Sequence, residues 1–152
     1  KQIIKLPGGN IKLNVSATTR AKVLSFLDTT GYFCVKVEEL GAQVYAVDRA
    51  ELAPELMSNP LVKFQAHDAF TLKPEEIGPI DWLFSDVICY PERLFEWINM
   101  WLKYNPNLNM ICTIKMQGSI NWTLIQQFAD IPGSKIVHLN YNKHELTWIH
   151  TH

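Results

Sequence analysis

The sequence predicts an α/β domain: a mostly parallel sheet with helices on both faces and an antiparallel strand at the C-terminal end. Three observations lead there. Short apolar runs alternate with amphipathic segments from Lys22 onward. Asp86, Lys115 and Glu145 stand at the ends or starts of such runs, in Asp81-Trp-Leu-Phe-Ser-Asp86, Ile111-Cys-Thr-Ile-Lys115 and Asn142-Lys-His-Glu145-Leu-Thr-Trp148, at intervals of 29 and 30 residues. Each interval accommodates one helix and one strand. The chain then closes with two strand-like runs joined by a short link, which implies an antiparallel edge.

The elements follow in order. Within residues 1–20, Ile11, Leu13 and Val15 alternate with polar residues as in a short strand, after the turn signal Pro7-Gly8-Gly9-Asn10. Lys22–Phe26 reads as the first core strand. Gly31–Leu40 is expected as a helix stopped by Gly41. Gln43–Val47 is a strand ending at Asp48, and a short helix over Ala50–Met57 stops before Asn59-Pro60. Val62–Ala66 is the next strand, with Asp68 in the following loop and a turn or single helical turn over Thr71–Glu76. Trp82–Ser85 leads into Asp86. Pro91 suits the first position of a helix reaching Tyr104, with Leu94, Phe95, Ile98, Trp101 and Leu102 on one apolar face. Asn105-Pro106-Asn107 ends it, and Met110–Ile114 is a strand. Ser119 is expected to cap a helix to Ala129 that buries Ile120, Leu124 and Phe128. After a loop at Ile131–Ser134, Lys135–Leu139 and Leu146–Thr151 form the last two strands. There is no internal repeat.

Length and composition bound the class. The 152 residues suggest one domain, 1–152, whose first twenty residues are poorly defined. With 47% hydrophobic and 19% charged residues the chain can bury a core and is not of the disordered class. The formal charge of −1 gives no sign of an overall basic surface for nucleic acid. Cys34, Cys89 and Cys112 have no paired spacing and read as buried reduced thiols, which fits the cytoplasm. No apolar run approaches the ~18 residues of a membrane span, and the first residues do not read as a leader. A monomer is the plain expectation.

The three spaced charges make chemical sense together. An open α/β sheet places its ligands at the carboxyl ends of its strands. A lysine there can help ionise a hydroxyl, either by accepting its proton or by stabilising the alkoxide with its charge. Flanking carboxylates tune that lysine's pKa and orientation. Taken singly, each residue is better explained by a salt bridge at the sheet edge or as an unrelated surface charge.

The strings themselves add more. Ser85-Asp86-Val-Ile-Cys-Tyr-Pro91, Cys112-Thr-Ile-Lys115-Met-Gln-Gly118, Asn142-Lys-His-Glu145-Leu-Thr, Val44-Tyr-Ala-Val-Asp48-Arg-Ala and His67-Asp68-Ala-Phe70 resemble segments of the ribosomal RNA large subunit methyltransferase M group, within the FtsJ-like RNA ribose 2′-O-methyltransferases. The likeness covers roughly residues 20–150. It implies a Rossmann-like methyltransferase fold, S-adenosylmethionine as cofactor, and RNA, ribosomal in this group, as substrate. The family uses a Lys-Asp-Lys-Glu tetrad, of which Asp86, Lys115 and Glu145 would be the last three members. Lys5 and Lys12 are candidates for the first. By the same likeness Gly31, Tyr32 and Phe33 would line the methionine side of the cofactor, Asp48 its ribose and Asp68 its adenine amine, with Asp86 beside it.

The likeness breaks at one segment. The family's Asp-x-Gly-x-x-x-Gly-Gly stretch falls on Ser25 to Tyr32, where Ser25 replaces the acid, Leu27 and Tyr32 replace glycines, and Gly31 alone remains. Glycines let backbone approach a ligand, so Leu27 and Tyr32 should narrow that space. Asp28 stands three residues late and is a partial substitute. Family members carry a separate RNA-binding region, for which 152 residues leave no room.

Other readings are weaker. Asp48 could equally cap the helix after it, and Asp68 could be a loop carboxylate. No Gly-x-Gly-x-x-Gly follows the first strand, which disfavours an NAD enzyme. His138, His144, His150 and His152 cluster late in the chain, with His138 and His150 as possible cross-strand neighbours, but nothing completes a metal site. Trp82, Trp97, Trp101, Trp122 and Trp148 fit core positions better than base-stacking ones. The expectation is thus an adenosylmethionine-dependent RNA ribose 2′-O-methyltransferase. Its rival is a methyltransferase-fold RNA-binding or scaffold protein with weakened cofactor binding. A methyltransferase for another hydroxyl is a third possibility.

Overall fold

A computed structural model describes residues 2–6, 9–13, 22–26, 42–139 and 144–152, with side chains from Ala42 onward. The expected helix over Gly31–Leu40, Cys34, and the cofactor-segment residues Leu27, Asp28, Gly31, Tyr32 and Phe33 lie outside the described residues.

The N-terminal region forms two strands where the sequence suggested one. These are β1 (Gln2–Leu6) and β2 (Gly9–Leu13), paired antiparallel in a separate two-stranded sheet that carries Lys5 and Lys12. The main sheet has seven strands: β3 (Lys22–Phe26), β4 (Gln43–Asp48), β5 (Val62–Ala66), β6 (Trp82–Ser85), β7 (Asn109–Lys115), β8 (Ser134–Val137) and β9 (Glu145–His150). Their order across the sheet is β5-β4-β3-β6-β7-β9-β8. The first five run parallel, and β9 lies antiparallel to both of its neighbours. The order reverses between β3 and β6, the switch point where such sheets open a ligand crevice.

The helices are α1 (Pro54–Met57), α2 (Pro74–Ile77), α3 (Pro91–Tyr104) and α4 (Trp122–Asp130). Each of α1 to α3 has proline in its first turn, where the missing N–H costs nothing. In α3, Leu94, Trp97, Ile98 and Trp101 are buried, close to the stripe that the spacing predicts. Every residue of β6 is buried, which requires cover on both faces of the sheet. On one face Leu83 joins Met110, Cys112, Ile114 and Trp148 beneath α3 and α4 in a single cluster. On the other Trp82 and Phe84 stack at 5.7 Å. Phe128 of α4 is fully buried, packs edge-on against Phe95 and Trp148, and accepts a 3.0 Å hydrogen bond at its carbonyl from Trp148 Nε1.

The antiparallel edge is the expected one: the last two strands pair there, with β9, rich in buried residues, inside and β8, whose residues are half-buried or exposed, outermost, while other expectations are corrected. A short edge strand carrying a lysine, here Lys135, is the safer one to leave unpaired. The first of the short helices begins at Pro54 rather than Ala50. Helix α4 is capped by Asn121, whose side-chain oxygen accepts from Leu124 N–H at 3.1 Å, not by Ser119. Starting there, α4 buries Leu124, Ile125 and Phe128 and leaves Ile120 outside the helix and exposed. Trp122, placed in the core by the sequence reading, is 67% exposed, whereas Trp82, Trp97, Trp101 and Trp148 are buried as expected. His150 pairs with Ser134 rather than approaching His138; it is buried, stacks on Trp148, and donates Nδ1–H to the Leu108 carbonyl at 2.7 Å.

Phe128→Ala should cost about 3–5 kcal/mol, because it removes a fully buried ring from a junction of three aromatics. Urea denaturation of the two proteins measures it, and a loss below about 1 kcal/mol would contradict this packing.

Candidate active site

Four parallel strands end on the same side of the sheet, and each delivers a charged residue there. Asp48 closes β4. Asp68 follows β5 by two residues. Asp86 follows β6 directly, and Lys115 closes β7. Glu145 opens β9, which runs the other way, so the start of β9 meets the end of β7. The register pairs Lys115 directly with Glu145. Pairing continues one rung further, with Met116 N–H donating to the His144 carbonyl at 3.0 Å.

The three central charges are in contact. Lys115 Nζ lies 2.9 Å from Asp86 Oδ1 and 2.9 Å from Glu145 Oε1. The lysine side chain is 15% exposed, the carboxylates somewhat more. Partial burial pulls the Lys115 pKa down, but the hydrogen bonds and charges of Glu145 and Asp86 outweigh it and hold it above the ordinary lysine value. The lysine is therefore an ammonium at neutral pH. Of the two roles open to it from the sequence, the charge-stabilising one fits this arrangement. A resting proton acceptor it is not.

Asp48 and Asp68 are each held by a short local turn. Asp48 Oδ1 accepts from Ala50 N–H at 3.0 Å, and with α1 starting later it caps no helix. Asp68 Oδ1 accepts from Phe70 N–H at 2.9 Å, and its other oxygen forms an ion pair with Arg49. The Phe70 N–H and then Arg49 hold the Asp68 carboxyl below its usual range. Asp48, Arg49, Asp68, Asp86, Arg93 and Lys115 face one cavity of about 520 Å³, lined also by Phe70 and Ile88 among others. That is ample for a small molecule. Glu145 instead lines a second cavity, of about 430 Å³, with Met116, Trp122 and His144 among its other walls.

The sequence reading missed Arg49 and Arg93. Arg49 directly follows Asp48, so it belonged to the same strand end. Arg93, in the first turn of α3, sits over the Phe70 ring at 4.3 Å and could not be placed without the fold. Gly31, Tyr32 and Phe33 are outside the described residues, and Lys5 and Lys12 are described only as backbone. Among the described residues no His, Cys, Asp and Glu group could hold a metal. Nor is any described helix long and apolar enough to cross a membrane.

No protein-family model matches the chain. Among curated proteins, it is similar to the ribosomal RNA large subunit methyltransferase M of Aggregatibacter aphrophilus, with 26% identity over 128 residues, covering 77% of this chain and 35% of that protein. The protein of the same name from Xylella fastidiosa is 31% identical over 80 residues, covering 53% of this chain and 22% of that protein. Both similarities are to proteins named as ribosomal RNA large subunit methyltransferase M, the group whose segments the chain resembles. The chain spans about a third or less of the length of these two relatives. Solved structures agree on the fold. A ribosomal RNA methyltransferase from Plasmodium falciparum superposes with a TM-score of 0.63 at 15% identity, covering 86% of this chain and 85% of that one. The fibrillarin pre-rRNA processing protein of Methanococcus jannaschii gives 0.61 at 16%, covering 97% and 80%. The Rossmann-like methyltransferase architecture expected from the FtsJ-like strings is thus the one observed.

The raised lysine fixes a sign for pH dependence. Its stabilisation is fully present below the ordinary lysine value and is lost as pH rises through the higher folded one. Urea denaturation at pH 8 and at strongly alkaline pH should show this loss in the natural chain and a smaller one in Lys115→Met. Equal losses in the two proteins would remove the ion-pair explanation.

Proposed function

We propose that this chain is a catalytic domain that transfers a methyl group from S-adenosylmethionine to a ribose 2′-hydroxyl of RNA, ribosomal RNA being the class named for its relatives. The observation that carries the reading is Lys115 held at 2.9 Å by both Asp86 and Glu145, beside a cavity whose far wall is Asp48 and Asp68.

The residues present suit the cofactor. Adenosylmethionine offers hydrogen-bond donors from its ribose, adenine amine and ammonium, and the cavity offers carboxylates. Asp48 needs only one oxygen for its turn, leaving the other for the ribose diol. Asp68 would meet the adenine amine, in competition with Arg49. Phe70 and Ile88 supply apolar surface for the ring. Gly31, Tyr32 and Phe33 are assigned to the methionine side on the family resemblance alone. The chemistry the cofactor supplies is a methyl group on a sulfonium centre, open to attack by oxygen.

The chain's own part is positioning and electrostatics. A ribose hydroxyl placed beside Lys115 Nζ would accept an N–H from the ammonium. That bond favours the ionised oxygen and so lowers the cost of releasing its proton. The proton has acceptors at hand in the two carboxylates, from which it passes to solvent. With two carboxylates for one lysine the cluster carries net negative charge, which also suits a neighbouring cation.

The reading extends to a monomer in the cytoplasm. Cys89 and Cys112, buried and unpaired, support the reducing setting. The degraded-fold alternative gains no support from a lysine and two carboxylates held in contact.

Calorimetric titration with S-adenosylmethionine and S-adenosylhomocysteine tests the cofactor assignment: binding in the micromolar range is expected, and none near ~1 mM would overturn it. Asp48→Ala should weaken that binding by roughly tenfold, as for a lost hydrogen bond to a charged group. Lys115→Ala should lower methyl transfer by about 10²–10³ with cofactor affinity little changed. Because the lysine stays charged, the rate of the natural chain should not climb between pH 7.5 and 9.5 as it would for a lysine base of perturbed, near-neutral pKa (expected window about two units).

A further inference from the structure

Seven large hydrophobic side chains are exposed among the described residues, and four of them, Ile88, Tyr90, Ile120 and Trp122, lie in or at the end of the two connections that follow β6 and β7. Those connections leave the sheet at Asp86 and Lys115. Exposed apolar groups scattered singly need no explanation, but a concentration beside a polar site marks a contact surface. Ile88 borders the cavity that holds Asp48 and Asp68. Ile120 and Trp122 border the second cavity, together with Met116, Gly118, His144 and Glu145. The cluster therefore borders both hollows, the first through Asp86 and Lys115 and the second through Glu145. One is rich in acids and suits the cofactor. The other joins an exposed indole to the carboxylate that touches the lysine.

The placement of Trp122 is built into the chain. Gly118 adopts φ +72, and Asn121 caps α4 one residue before the tryptophan, so the indole projects from the first turn of α4, off the face that carries Leu124, Ile125 and Phe128. Its 67% exposure contrasts with the other four tryptophans, none above 6%. No core requirement accounts for it.

We propose that this second cavity receives the target nucleotide as an unpaired base, stacked on Trp122, with its ribose presented to Lys115 past Glu145. The proposal rests on the ribose-methyltransferase reading and names how the acceptor enters. A base inside a duplex cannot offer its face to a side chain, so the ligand must be single-stranded or flipped out. Every base has a π-face, so an indole platform accepts any of the four. His144 at the same wall is available to the base edge. Stacking also answers the charge problem. A net charge of −1 leaves little for phosphate neutralisation, so affinity must come from the bases and should depend weakly on salt.

The test uses the full chain, a short unpaired RNA oligonucleotide and a blunt RNA duplex of the same composition. Since Trp122 is the accessible indole among those described, quenching of tryptophan fluorescence by acrylamide reports on it selectively. The oligonucleotide should protect it from quenching, and the duplex should not. Trp122→Ala should weaken oligonucleotide binding about tenfold or more, Trp122→Phe much less, as expected for one lost base stack. Neither change should alter S-adenosylmethionine affinity, which also shows that the variants are folded. Unchanged oligonucleotide affinity in Trp122→Ala, with the natural chain still binding cofactor and RNA, overturns this site and leaves the methyltransferase reading standing. A natural chain that binds cofactor but neither RNA form overturns the stacking site and RNA as the substrate together.

Discussion

One cross-strand pair organises the site: Lys115 on β7 opposite Glu145 on β9. Directly paired residues in an antiparallel ladder put their side chains on the same face. A slip of one residue would send Glu145 to the other face and leave the lysine with Asp86 alone. The register is held by the rest of β9, where Trp148 and His150 are buried by packing and hydrogen bonds of their own. The aromatic core thus sets the geometry of a charged cluster at the sheet's rim. The pair in turn sets the lysine's protonation: partial burial alone would lower its pKa, and two carboxylates reverse that.

The parallel strands supply the remaining charges for a related reason. In a parallel sheet every strand's carboxyl end faces the same side, so residues far apart in the chain gather there without further instruction. Local turns then fix their aim. Asp48 and Asp68 each accept a backbone N–H two residues ahead, which orients the carboxylate at little entropic cost. Arg49, bonded to Asp68, is the one described group that would have to yield if an adenine amine took its place.

The tryptophans divide by what surrounds them rather than by their spacing. Trp97, Trp101 and Trp148 fill the space between α3, α4 and the sheet, and Trp82 stacks on Phe84 across the opposite face. Trp122 has no such partner layer, because the helix begins two residues later than its apolar pattern suggests.

The sequence by itself determined the α/β class, the main strands from Lys22 onward, α3 and its buried face, and the candidate charges Asp48, Asp68, Asp86, Lys115 and Glu145. These are legible because buried parallel strands read as short apolar runs and their charged ends stand out against them. Only the tertiary structure decided the rest. Strand order is a matter of which edges meet, and no local pattern says that β9 inserts between β7 and β8. The cap of α4 was a competition between Ser119 and Asn121 that backbone geometry settled, and exposure of Trp122 followed from it. Arg93 reached the site only because α3 packs against the loop after β5. Most of all, the chain carries Asp86, Lys115 and Glu145 as three separate charges; their contact exists because sheet pairing, a long-range constraint, brings two strand ends and one strand start to the same point.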